Sequence, residues 1–209
     1  MLYFDFDGTI VDVWPRYYRV FCVAGGVSAP SYGAYVAAKR RLVRDDLVAA
    51  ALGVSLPPTY YEEKRRLLEE AEYLALDTLL LPIGVLTEIF GVFPCRILTA
   101  RREPAAFYAQ LSGLGLASLA EKSIVLRPQD QITKKELLAA QGHGESIVIG
   151  DAEAEYEAAV CSNTQVFLVR TGLRAPEDFP PRKNVHLLES ASQFISQYRS
   201  NHICPSSKT

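Results

Sequence analysis

From about position 80 onward the chain alternates short runs rich in β-branched residues with segments whose apolar residues recur every three or four positions. That alternation narrows the fold more than any other feature. The runs are residues 96–99, 123–126, 146–149 and 165–169, each followed by a polar or glycine-containing turn. The helical patterns occupy 82–90, 103–114, 133–141 and 152–162, and the alternation predicts a parallel sheet with helices on its faces. Residues 2–6, closed by Asp7-Gly8, read as one more buried strand. Thr133 and Glu136 have capping-box spacing, and Gly142 is placed to close that helix.

Residues 13–79 break the pattern, with no convincing strand and several helical stretches, the longest over 60–76. We read them as an inserted helical cap. The fold expected is therefore α/β: a Rossmann-like parallel sheet core flanked by helices, formed by 1–12 and 80–200, carrying a small α-helical cap domain over 13–79. A further short run at 185–188 and an amphipathic helix at 191–198 complete the core, and 201–209 read as a disordered tail.

A chain of 209 residues, 49% hydrophobic and 22% charged, can bury one substantial core and a smaller accessory unit. Its formal net charge of -2 lacks the basic excess expected of nucleic-acid binding. No apolar stretch approaches the roughly 20 residues needed to cross a bilayer, and the opening MLYFDFDG lacks a signal peptide's positive n-region. Cys22, Cys95, Cys161 and Cys204 stand far apart without zinc-ligand spacing, so free thiols and a cytoplasmic location are expected.

In a parallel sheet, ligands gather beyond the carboxyl ends of the strands. The polar residues placed there are Asp5, Asp7 and Thr9 after the first strand and Thr99-Ala100-Arg101 after the second. Lys134 begins the helix after the third, and Gly150-Asp151, with Glu153 and Glu155, follows the fourth. In an extended segment Asp5 and Asp7 project from one side, where two carboxylates repel unless a cation or a shared proton intervenes. A hard divalent cation with Asp151 as a further carboxylate is one solution, and it suits magnesium better than calcium.

The segment DFDGTIVD at 5–12 resembles the first motif, DxDGT, of the haloacid dehalogenase superfamily of phosphotransferases. Thr99, Lys134 and Gly150-Asp151 with Glu155 follow in the order of the family's later motifs, so the resemblance spans residues 1 to about 170. It implies a magnesium-dependent phosphatase acting on a small phosphorylated metabolite. Asp5 would be the nucleophile that forms an aspartyl-phosphate, and Asp7 the proton carrier, its proton affinity raised by neighbouring Asp5. It further implies metal held by Asp5, the main-chain carbonyl of Asp7, and Asp151, with Glu155 as a supporting acid. Thr99 and the Ala100 N–H would bind phosphate, and Lys134 would stabilise transition-state charge.

Several readings stay open from the sequence. Lys135 could replace Lys134, and Glu153 could replace Glu155. Lys39, Arg40, Arg41 and Arg44 could meet an anionic substrate, although a charge run on a helix more often forms a solvated face. Trp14, Tyr17 and Tyr18 could line the substrate entrance or pack between cap and core. Asp7 argues against the dehalogenase branch, which lacks an acid there. A phosphomutase, a phosphonatase using a cap lysine such as Lys39 or Lys64, or a catalytically weak regulatory relative remain alternatives. Oligomeric state and the substrate itself are not legible.

Overall fold

The computed structural model describes residues 1–28, 30–140, 146–162 and 164–202. Six strands form one parallel sheet: β1 (Leu2–Phe4), β4 (Cys95–Ala100), β5 (Ser123–Leu126), β6 (Ile147–Gly150), β7 (Gln165–Val169) and β8 (Val185–Leu188). Their order is β5-β4-β1-β6-β7-β8, so β1 lies between β4 and β6, with Phe4 paired to both Ile97 and Ile149. The Rossmann-like α/β architecture expected from the alternation is thus the one observed.

Side chains of a strand alternate between the two faces of its sheet. Leu2 and Phe4 enter a core with Leu86 and Phe90 of α6 (Ile83–Val92), Phe107 and Leu111 of α7 (Pro104–Gly113), and Phe194 of α10 (Ala191–His202). Tyr3 enters the opposite core with Leu138 of α8 (Lys134–Ala140) and Ala158 of α9 (Glu153–Cys161). Phe4 is wholly buried, its ring 5.5 Å from that of Phe90, so truncating it to alanine would cost about 3–5 kcal/mol.

Two short strands, β2 (Val11–Asp12) and β3 (Thr78–Leu79), pair antiparallel where residues 13–77 leave and rejoin the sheet. The sequence showed no strand there because two residues carry too little pattern. Between them lie α1 (Trp14–Gly25), α2 (Tyr32–Arg41), α3 (Asp45–Ala51), α4 (Tyr60–Leu67) and α5 (Ala71–Leu74). They share a separate apolar cluster centred on Phe21, Tyr35 and Tyr60.

Other expectations are corrected. The single helix over 60–76 is two, because the chain becomes extended at Glu70. The break turns the Leu68 carbonyl to Arg16 Nη1 at 3.0 Å and brings Glu69 to Arg101 at 3.7 Å, giving one buried guanidinium an acceptor and the other an opposing charge. The first strand stops at Phe4, and the last helix runs on to His202. The Thr133–Glu136 capping box forms, with Thr133 N–H donating to Glu136 at 2.7 Å and Glu136 N–H to Thr133 at 3.2 Å. Gly142 and Cys204 lie outside the described residues; Cys22, Cys95 and Cys161 are free thiols. Among the described residues no helix is long and apolar enough to cross a membrane.

Candidate active site

Asp5 follows directly on β1, and its N–H still bonds the Ile149 carbonyl of the neighbouring strand at 2.8 Å. The chain then turns: Ile10 and Val11 both donate to the Phe6 carbonyl, and Gly8 adopts a left-handed φ of 74°. Glycine is required there twice over, because a Cβ would also meet Asp151 and the Gly172 backbone at 2.8 Å.

This turn separates the two carboxylates that an extended segment would have aligned. Lys134 Nζ, at the start of α8, donates to Asp5 Oδ1 at 2.6 Å and to Glu155 Oε1 at 2.8 Å. Asp7 Oδ1 instead accepts from Arg16 Nη2 at 2.5 Å and Arg101 Nη2 at 2.8 Å. The protein's own cations, one lysine and two arginines, answer the charges of Asp5 and Asp7.

The electrostatics reverse one expectation. Burial pushes Asp5 up to about 6, with Lys134 pulling against it and Glu155 adding to it. Burial also acts to raise Asp7, but Arg101 and Arg16 outweigh it and hold its carboxyl below the usual range. The neighbouring Asp5 charge therefore does not set the proton affinity of Asp7; the arginines do. Lys134 is raised despite its burial, because Asp5 and Glu155 favour the ammonium.

Asp151 follows β6 and is buried beside these groups. Burial, then the charges of Asp5 and Glu155, push its carboxyl well above the ordinary range. Its Oδ2 accepts the Leu173 N–H at 2.9 Å, and no cationic side chain among the described residues pairs with it. Buried Asp5 and Asp151 thus form an all-oxygen donor set with excess negative charge, which fits a hard divalent cation. The Asp7 side chain, turned to its arginines, is not part of that set, and among the described residues no three His, Cys, Asp or Glu side chains cluster as a metal site.

The remaining site residues are placed as follows. Thr99 is buried near the end of β4, and Ala100, its last residue, is exposed. A cavity of about 430 Å³ opens beside them, its lining including Ala100, Arg101, Arg102, Thr133 and Lys134. Lys135 points away, its Nζ 3.9 Å from Glu157, and Glu153 pairs with Arg174 at 2.6 Å, so Lys134 is the lysine that reaches Asp5 and Glu155 the glutamate that reaches Lys134. The basic run is not a solvated face throughout: Lys39 is buried against Asp45 at 2.7 Å, and Arg40 lies over the Trp14 ring and bonds the Arg170 carbonyl. Trp14 packs inside the helical cluster, Tyr18 donates to the Pro30 carbonyl, and Tyr17 lies beneath the Lys64 ammonium.

The roles of Arg16, Asp77 and Gln110 as buried polar neighbours had no sequence signal beyond residue type, since Asp77 meets Arg16 and Gln110 only through the fold and the nine-residue separations of Arg16 from Asp7 and Gln110 from Arg101 match no local motif.

This fold is shared with 84 solved chains, several of them described as haloacid dehalogenase-like hydrolases. Among them is a haloacid dehalogenase-like hydrolase from Streptococcus pneumoniae, 15% identical, with a TM-score of 0.64 over 94% of this chain and 97% of that one. A protein described as a predicted phosphatase from Clostridium acetobutylicum is 14% identical, with a TM-score of 0.64 over 94% and 96%. Protein Tyrosine Kinase A of Mycobacterium tuberculosis is 18% identical, with the same TM-score and coverage of 94% and 96%. No family model and no curated protein matches the chain.

Proposed function

We propose that the chain is a magnesium-dependent phosphatase of the haloacid dehalogenase superfamily, hydrolysing a small phosphate monoester through a phosphorylated Asp5. The observation that carries this reading is the contact of Lys134 Nζ with Asp5 Oδ1 at 2.6 Å, at the carboxyl end of a central parallel strand. It holds a buried carboxylate as the anion at the place where such sheets bind ligands.

In the first step Asp5 attacks phosphorus and the bond to the leaving oxygen breaks, while Asp7, which first takes up a proton from solvent against the pull of Arg101 and Arg16, passes it to that oxygen. In the second, Asp7 takes a proton from water as the water oxygen attacks phosphorus, releasing inorganic phosphate and regenerating Asp5. Thr99 and the Ala100 N–H bind phosphate oxygens, and Lys134, anchored by Glu155, offsets the charge that develops on them. Asp5, the Asp7 carbonyl and Asp151 would hold Mg2+, whose contribution is to neutralise charge shared by nucleophile and phosphate. We read residues 13–79 as a cap covering this site, so substrate choice would lie with its residues.

The test is magnesium-dependent phosphate release from an aryl phosphate by the parent and by Asp5→Asn. Activity in the parent that disappears in the variant supports the reading; equal activity in both overturns the nucleophile.

A further inference from the structure

Asp7 belongs to a closed ring of four hydrogen bonds and one ion pair, that of Arg16 with Asp77, assembled from five separate parts of the chain. Its Oδ1 accepts from Arg16 Nη2 at 2.5 Å and Arg101 Nη2 at 2.8 Å. Arg16 Nε lies 3.1 Å from Asp77 Oδ1, and Asp77 Oδ2 accepts Gln110 Nε2 at 2.8 Å. Gln110 Oε1 closes the ring by accepting from Arg101 Nη2 at 3.1 Å. The side chains of Arg16, Asp77 and Arg101 are at most 3% exposed, whereas that of Asp7 is 23% exposed. Gln110 is likewise buried, so Asp7 is the most exposed member of the ring.

We infer that Arg16, Arg101, Asp77 and Gln110 are positioning residues for Asp7, fixing its Oδ1 so that Oδ2 is the oxygen that exchanges the proton with the substrate. This rests on the reading of Asp7 as the proton carrier of a phosphatase. An oxygen already accepting two guanidinium N–H bonds has both lone pairs engaged, which leaves the transferable proton to its partner oxygen. Each guanidinium is itself fixed by a second contact. Asp77 holds Arg16 from one side, Gln110 holds Arg101, and the amide of Gln110, donating to one and accepting from the other, ties the two halves together.

The ring also spans the boundary with the helical segment. Arg16 stands on α1 and bonds the Leu68 carbonyl after α4, while Asp77 immediately precedes β3, by which the chain returns to the sheet. Asp7 is thus set by residues of both the sheet and the segment above it.

A misplaced proton donor has a kinetic signature that a merely loosened fold lacks. Phenyl phosphate has a basic leaving group that needs a proton; 2,4-dinitrophenyl phosphate has an acidic one that does not. We would measure leaving-group release in a single turnover for the parent, Asp7→Asn, Arg101→Met and Gln110→Met. Gln110→Met keeps volume and every charge and breaks only the ring, so it carries the test if Arg101→Met does not fold. The expected result is a loss with phenyl phosphate at least about tenfold greater than with the dinitrophenyl ester, smaller than but patterned like that of Asp7→Asn, since general acid catalysis contributes about 10²–10⁴-fold. Equal losses on both esters, or none, would overturn the ring's role and leave the phosphatase reading standing. A parent that cleaves neither ester would overturn that reading, and the inference with it.

Discussion

Lys134 Nζ sits between two buried carboxylates, 2.6 Å from Asp5 and 2.8 Å from Glu155, although Lys135 beside it is exposed and faces Glu157. A single residue of helix phase decides which lysine reaches Asp5. Removing one partner of such a buried group leaves the other charges uncompensated, at a cost of about 3–5 kcal/mol. Lys134→Ala should therefore both lower the melting temperature and reduce kcat at least about 100-fold. Lys135→Ala should change activity by less than about twofold, because its exposed pair is weak. Steady-state kinetics with thermal melts of both variants check this, and a reversed order would reassign the lysine.

Gly172 has no Cβ because Asp151 occupies the space: an added Cβ would lie 1.8 Å from its Oδ2 and 2.1 Å from its own Cβ. Gly172→Ala should displace Asp151 or its loop, costing about 1–3 kcal/mol of stability. It should raise the magnesium concentration for half-maximal activity by about 10–100-fold, as losses of support around a metal ligand do. Magnesium titration of the variant beside Asp151→Asn measures it; an unchanged midpoint would remove Asp151 from the metal site.

Asp77 is pushed up to about 7, by burial first, with Arg16 opposing. Its ordinary value is 3.8, so between about pH 4 and 7 the folded protein holds a proton there that the unfolded chain has lost. Stability from this group is then present at low pH and declines as pH rises through that window. Asp77→Asn, which cannot ionise, should flatten that decline. Urea midpoints at pH 5 and pH 7.5 for parent and variant test the sign, and an identical pH dependence in both would contradict it.

The sheet was legible because each strand is short, β-branched and followed by a turn, and residues 165–169 and 185–188 appear at the bounds expected. The carboxylates were legible because strand ends are where such residues gather. What could not be read is which groups they face. Arg101 reaches Asp7 across 94 positions and Gln110 reaches Asp77 across 33, and no local period encodes those meetings. The helix over 60–76 misled for the same reason: its charges favour a continuous helix locally, yet the chain breaks where the Leu68 carbonyl accepts from distant Arg16 and Glu69 sets its charge beside Arg101. Lys39 likewise resembled a surface lysine until its burial against Asp45 placed it inside.

The most direct test of the account is to trap the phosphorylated chain and map the modified residue. The parent incubated with magnesium and beryllium fluoride, or quenched during turnover of an aryl phosphate, should carry the acyl-phosphate or its mimic on Asp5, and Asp5→Asn should carry none. A phosphoryl group found on any other residue, or phosphate release that persists undiminished in Asp5→Asn, would contradict it.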